Sequence, residues 1–413
     1  MTDYSRFFSA SGMQLRESPI RKMGTVLAAS REVISFAPGY PAEESFAWDE
    51  FRAIADDLLS RHSHGLLQYG ATRGHRPLID SIVAIQKKRG MDVTVPEVIV
   101  TTGSQQGLYL IARALFDPGD VVLVELPSYT GAITAFRGFG AELVGVKQDA
   151  DGINLEDLDR TLARVRAAGK RVKCLYLVPN FQNPTGLLLS LDKRRALAAW
   201  AEREDVLIIE DDPYRDLYFT DVTQESDTRP LAADETNGRV IYLSSFSKTL
   251  APGFRTAWLI APPAIAQKIE LAKAAIDLCT SGFDQQMVNE ACERGVLEAQ
   301  APKLRALYQR KRDVMVDALN AAVGDDLTWA EPRGGFFLWA ALPPGQHADR
   351  LLERATARGV IYVTGSAFFV DDTGHEFIRL SFSSPSEERI KEGVRRLGEA
   401  MKQDTVEPIV PLL

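Results

Sequence analysis

Lys248 sits in the sequence Ser244-Ser245-Phe246-Ser247-Lys248-Thr249, directly after the apolar stretch that begins at Val240. Ligands in α/β sheets collect where strands end. Partial desolvation there lowers a lysine's proton affinity and frees its amine for a Schiff base with an aldehyde. Read alone, a solvated surface lysine is the commoner fate of this residue type. The hydroxyls around Lys248, with Arg255 shortly after, instead suggest a clamp for phosphate.

Three further motifs lie at the ends of apolar runs. Thr102-Gly103-Ser104-Gln105-Gln106-Gly107 opens a helix expected to begin near Leu108. Free N–H groups at a helix start favour phosphate, and Gly103 permits close backbone approach. A plain helix cap would look the same. Val206-Leu207-Ile208-Ile209-Glu210-Asp211-Asp212-Pro213-Tyr214 ends a buried strand in carboxylates, and a buried carboxylate needs a partner. A protonated ring nitrogen is one such partner, and a cap before Pro213 is the alternative. Asn183-Pro184-Thr185-Gly186 is a tight turn by composition, and Asn183 is placed to donate to a ligand oxygen.

The elements that must position these residues follow a strand-helix rhythm. Short β-branched runs at 97–102, 121–125, 172–178, 206–210, 240–245 and 257–261 alternate with amphipathic stretches such as 191–204. Near-continuous apolar strands of this kind are covered on both faces, the mark of a parallel α/β sheet. Residues 50–290 are expected to form one large α/β domain. Residues 1–49 and 291–413 are expected to form a smaller α+β unit, with strands around Gly334–Trp339 and 377–383. The 413 residues, 45% hydrophobic and 25% charged, suffice for two such units. A net charge of -8 argues against a nucleic-acid surface. Cys174, Cys279 and Cys292 lack metal-ligand spacing and read as free thiols, and no apolar run has spanning length, so cytoplasmic residence without membrane contact is expected.

Taken in chain order, Ala37-Pro38-Gly39-Tyr40-Pro41, Tyr69-Gly70, Gly103-Ser104-Gln105-Gln106, Asn183-Pro184-Thr185-Gly186, Asp211 to Tyr214, Ser245 to Lys248, Arg255 and Ile378-Arg379-Leu380-Ser381-Phe382 resemble the fold-type I aminotransferases. The branch with 2-aminoadipate and kynurenine aminotransferases is the nearest in pattern. The resemblance spans nearly the whole chain. It implies an α/β fold, with a large domain on a seven-stranded mostly parallel sheet plus a smaller α+β domain. The implied cofactor is pyridoxal 5′-phosphate (PLP), with Lys248 as its Schiff-base lysine and acid-base catalyst, Asp211 facing the pyridinium, and Asn183 with Tyr214 on the phenolic oxygen. Ser104, Gln105, Ser245, Ser247 and Arg255 match phosphate contacts, and Tyr129 matches the aromatic stacked on the ring. Arg379 matches the arginine that grips the substrate α-carboxylate, helped by Asn183 and the backbone near Gly39. Tyr69 matches a residue that crosses a two-fold interface to the neighbour's phosphate, which implies a homodimer.

The activity so implied is ping-pong transfer from an L-amino acid of the 2-aminoadipate, aromatic or branched-chain type to 2-oxoglutarate or another 2-oxo acid. Ser18-Pro19-Ile20-Arg21 resembles a segment of the 2-aminoadipate branch whose arginine meets a distal carboxylate, so Arg21 is the candidate for specificity. An arginine in a mobile terminus is the alternative. Two rival activities share the scaffold: a PLP lyase or decarboxylase, and a non-catalytic PLP-sensing domain. The second is normally joined to a helix-turn-helix module, for which the N-terminal segment is expected to leave no room.

Overall fold

The structure is a computed structural model, and it describes residues 4–9, 12–13, 32–62 and 65–402. Its main sheet takes strands from the middle of the chain: β2 (Val98–Thr102), β3 (Val121–Leu126), β4 (Glu142–Asp149), β5 (Gly152–Ile153), β6 (Val172–Leu177), β7 (Leu207–Asp211), β8 (Val240–Ser245) and β9 (Thr256–Ile260). The spatial order is β2-β9-β8-β7-β6-β3-β4-β5. Seven of these match the expected seven-stranded sheet. The eighth, β5, is a two-residue strand folded antiparallel onto β4. β8, β7, β6, β3 and β4 run parallel, while β9 runs antiparallel to both of its neighbours. Because β9 reverses direction between β2 and β8, those two strands point the same way. The C-terminal ends of β2, β3, β6, β7 and β8 therefore share one edge, and β9 begins on it.

Apolar runs make these strands central. Val121 to Val124, Ile208 and Ile209, and Ile241 to Leu243 are all buried, as covered parallel strands require. Crossover helices supply the cover. The helix Leu191–Glu204 starts where Ser190 accepts from the Lys193 N–H, and it ends at Asp205 in the left-handed conformation. Its Leu197, Trp200 and Ala201 pack with Leu175, Leu177 and Ile208 of the sheet.

A second, antiparallel sheet orders β10 (Thr328–Trp329), β11 (Phe337–Ala341), β14 (Phe377–Ser381) and β13 (Val363–Thr364). The N-terminal strand β1 (Ile34–Ser35) pairs parallel with β12 (Val360–Ile361). Beyond it the Ser381 N–H donates to the Phe36 carbonyl at 2.8 Å, which ties the segment leading to Gly39 onto β14. No helix among the described residues is long and apolar enough to cross a membrane.

Candidate active site

Five strand ends and the start of β9 deliver Ser104, Gln105, Tyr129, Asn183, Asp211, Tyr214, Lys248 and Arg255 to one edge of the main sheet. After β8, Ser245 caps a single 3-10 turn, Phe246–Lys248, by accepting from the Ser247 N–H. That turn aims Lys248 back across the sheet edge. Its Nζ donates to the Gly39 carbonyl at 2.9 Å and lies 5.5 Å above the ring of Phe336. Burial, then the Arg255 and Arg379 charges, push its proton affinity down to about 8. Desolvation and like charges both disfavour an ammonium, so the amine is accessible near neutrality.

The residues expected to hold phosphate gather beside it. A helix begins at Ser104, not near Leu108, and runs to Leu115. Gly103 precedes it with φ +80, and an added Cβ there would fall 2.3 Å from the Arg255 guanidinium. Only a glycine permits both the left-handed conformation and that approach. Ser104 and Gln105 thus lie in the first turn, where backbone N–H groups lack intrahelical partners. Gln105 Nε2 also donates to the Gly131 carbonyl at 2.9 Å. The hydroxyls of Ser245 and Ser247 stand 2.8 Å apart. Tyr129, at the start of the helix Thr130–Arg137, is half-buried, with Gly131 against its ring.

Asp211 ends β7 fully enclosed. Its Oδ2 accepts from the Tyr176 hydroxyl at 2.8 Å, and its buried Oδ1 has no hydrogen-bond partner among the described residues. Burial raises its carboxyl to about 7, the Tyr176 donor opposes that rise, and neighbouring Asp212 adds to it. Tyr214 is buried against Phe336 and Phe337 with Asn183 at its hydroxyl, and burial raises the phenol.

Arg379 comes from β14, the middle of the small sheet, and is 1% exposed. One guanidinium nitrogen donates to Asn183 Oδ1 at 2.6 Å and the other to the Ala37 carbonyl. The guanidinium lies 4.3 Å from the Phe337 ring and 4.9 Å from that of Phe368. Desolvation lowers it to about 10, and only the phenols Tyr214 and Tyr129 act against that. Gly39 approaches Phe337 so closely that an added Cβ would fall 2.6 Å from its Cζ.

Tyr69 stands apart on this chain, 77% exposed. Arg21 lies outside the described residues. Sequence reasoning missed three supporting side chains. Tyr176 is one. Gln106 accepts from the Thr102 N–H and donates to Asp277, fixing the turn at Gly103. Glu125, at the end of β3, accepts from the Val178 N–H, Gln182 and Gln148, and Gln182 in turn holds Thr185. Burial raises Glu125 to about 7. A polar group inside an apolar strand was the available signal for both Tyr176 and Glu125.

The family model for aminotransferases of class I and II matches residues 31–397. An aromatic-amino-acid aminotransferase from Thermococcus litoralis is 38% identical over 403 residues, 97% of this chain and 95% of its own. A 2-aminoadipate transaminase from Thermus thermophilus is 38% identical, with 97% of each chain covered. The crystal structure of a Pyrococcus horikoshii kynurenine aminotransferase in complex with PMP superposes with a TM-score of 0.92 at 36% identity, covering 97% of this chain and 98% of that one. With a buried low-affinity lysine and an enclosed carboxylate at one sheet edge, a buried arginine from the small sheet acting on that lysine, and a family match over nearly its whole length, the chain belongs to the class I and II aminotransferases, enzymes that pass an amino group between amino acids and 2-oxo acids.

Proposed function

We propose that this aminotransferase works with PLP held by Lys248, taking the amino group from an L-amino acid of the 2-aminoadipate, aromatic or branched-chain type and giving it to 2-oxoglutarate or another 2-oxo acid. The observation that carries the reading is a pair of buried cations, Lys248 and Arg379, whose hydrogen bonds go to uncharged carbonyl and amide oxygens. Lys248 meets Gly39, Gly39 lies against Phe337, and Phe337 stacks Arg379, yet among the described residues no carboxylate is among the charges acting on either cation. A buried charge left unpaired costs several kcal/mol. An anionic ligand would offset that cost: a cofactor phosphate near Arg255 and a substrate carboxylate at Arg379.

The residues fit this cofactor. When bound, PLP supplies an aldehyde for the lysine amine and an electron-withdrawing ring. The unpaired Asp211 Oδ1 is an acceptor for a protonated ring nitrogen. Asn183 spends its Oδ1 on Arg379 and turns its amide nitrogen to the Tyr214 hydroxyl, which places a second amide N–H and that hydroxyl for the phenolic oxygen. Ser104, Gln105, Ser245, Ser247 and Arg255 hold the phosphate, and Tyr129 covers the ring. Arg379, with Asn183 and the backbone at Gly39, orients the substrate α-carboxylate through a two-pronged pairing. Lys248, released from its anchoring role, moves the proton between substrate Cα and cofactor C4′. Tyr69, exposed on one chain, completes the partner's phosphate site in a homodimer. Three free cysteines are consistent with the cytoplasm.

Product analysis tests the reading. An oxo acid that keeps its carboxylate is expected from the wild type, and Lys248→Ala is expected to abolish turnover. An amine or an eliminated fragment as the product would assign a lyase or decarboxylase instead.

A further inference from the structure

Resting on the reading of Asp211 as the ring-nitrogen partner, we infer that Tyr176 is a positioning residue that holds Asp211 Oδ2 and so presents Oδ1, in anionic form, to the cofactor ring. The two side chains come from adjacent parallel strands. β6 and β7 pair Tyr176 with Ile209 and Leu177 with Glu210, so Asp211 lies one step further along the same edge. The Tyr176 ring is buried and fixed edge-on to Phe136, with centroids 5.5 Å apart at 79°. Its hydroxyl reaches Asp211 Oδ2 at 2.8 Å. A phenol has a single proton to donate, and that proton is committed to one carboxylate oxygen. The other oxygen is left without a partner among the described residues, in an enclosed site.

The neighbouring carboxylate does not compete for Tyr176. Asp212, the first residue past β7, meets a different set of partners. It accepts from Asn180 at 2.7 Å and Tyr242 at 3.0 Å, within the fields of Arg89, Arg215 and Arg194. Among the described residues no such cation acts on Asp211, and Tyr176 is the donor that favours its charged form. Burial and the Asp211 charge hold the Tyr176 phenol well above its ordinary range, so it keeps its proton and stays a donor. A donor to the anion lowers a carboxyl's proton affinity, and its loss raises it.

The experiment measures two titrations in Tyr176→Phe, Asp211→Asn and the double variant. In cofactor-free protein, carbon-13 resonances of labelled aspartate follow the Asp211 carboxyl. In holoenzyme loaded with nitrogen-15 PLP, the ring-nitrogen resonance reports how much of the proton it holds. Tyr176→Phe is expected to raise the Asp211 midpoint by about one pH unit, a tenfold gain in proton affinity. It should also draw the ring proton toward the carboxylate, with no further effect in the Asp211→Asn background. Fluorotyrosine in place of Tyr176, a more acidic donor of nearly the same size, should lower the midpoint, which keeps the claim testable if the phenylalanine variant folds poorly. An unmoved Asp211 midpoint in these variants overturns the inference. If Asp211→Asn itself leaves the ring-nitrogen resonance unchanged, the assignment of Asp211 falls and the inference with it. A change in Asp211→Asn that Tyr176→Phe does not echo overturns the positioning role alone.

Discussion

At the scale of the residue, the lowered proton affinity of Lys248 sets the pH range in which the cofactor can be loaded. With its midpoint near 8, the amine of the cofactor-free protein is largely neutral above that pH and protonated below it. The rate of reconstitution with PLP is therefore expected to climb through pH 8 and level off, whereas an ordinary lysine would still be gaining reactivity toward about 10.4. The stability sign follows from the same shift. Between pH 8 and the ordinary lysine value the unfolded chain binds the extra proton, so Lys248 makes the apo-protein more stable as pH rises through that window. A reconstitution rate that keeps rising past pH 9 would contradict the burial argument. Asp211 and Arg379 were legible in the sequence because each ends or breaks an apolar run with a group that must find a partner, and Lys248 because hydroxyls and Arg255 gather around it just past such a run. Tyr176 and Glu125 break apolar runs too, but their partners come from other strands, and pairing between strands is invisible to local pattern.

The strands that show how far local pattern reaches are β3, β6, β7, β8 and β9, whose buried apolar runs announced them. β4 escaped because Val146 is its one fully buried residue, Glu142, Lys147 and Asp149 are exposed and Gly145 interrupts it, so it lacks the continuous apolar signal. The start of the helix at Ser104 was misplaced for a physical reason. Gly107 weakens helix propensity at its N-terminal end, yet an added Cβ there would lie 2.5 Å from Leu243 Cδ1. Glycine stands there because the helix packs directly on β8, and Leu243 in turn pairs with Asp211. Gly107→Ala should therefore destabilise the protein by roughly 1–2 kcal/mol in urea unfolding, because overpacking outweighs the propensity gain of about 1 kcal/mol. A stabilised variant would mean that Leu243 relaxes freely.

For the whole molecule, the decisive question is whether one chain completes its own site. Leu67, Tyr69, Ile276 and Leu278 are exposed around the loops that meet where the Gly70 N–H faces Cys279 Sγ at 3.5 Å. A two-fold interface covering them would carry Tyr69 into the partner's site. Mixing Lys248→Ala with Tyr69→Ala chains under conditions of subunit exchange is then expected to restore activity, toward about one quarter of wild-type sites, since each mixed dimer holds one intact site. No restoration would place Tyr69 in its own chain's site or outside it. The central claim, a PLP-bearing lysine that exchanges amino groups, is tested most directly by the visible absorbance of the holoenzyme when L-glutamate, L-2-aminoadipate or an aromatic amino acid is added without any oxo acid. The account predicts a yellow cofactor band that bleaches with at least one donor, yields the matching oxo acid and returns when 2-oxoglutarate is supplied. A protein that binds no cofactor, or a yellow band that no amino acid bleaches, would contradict it.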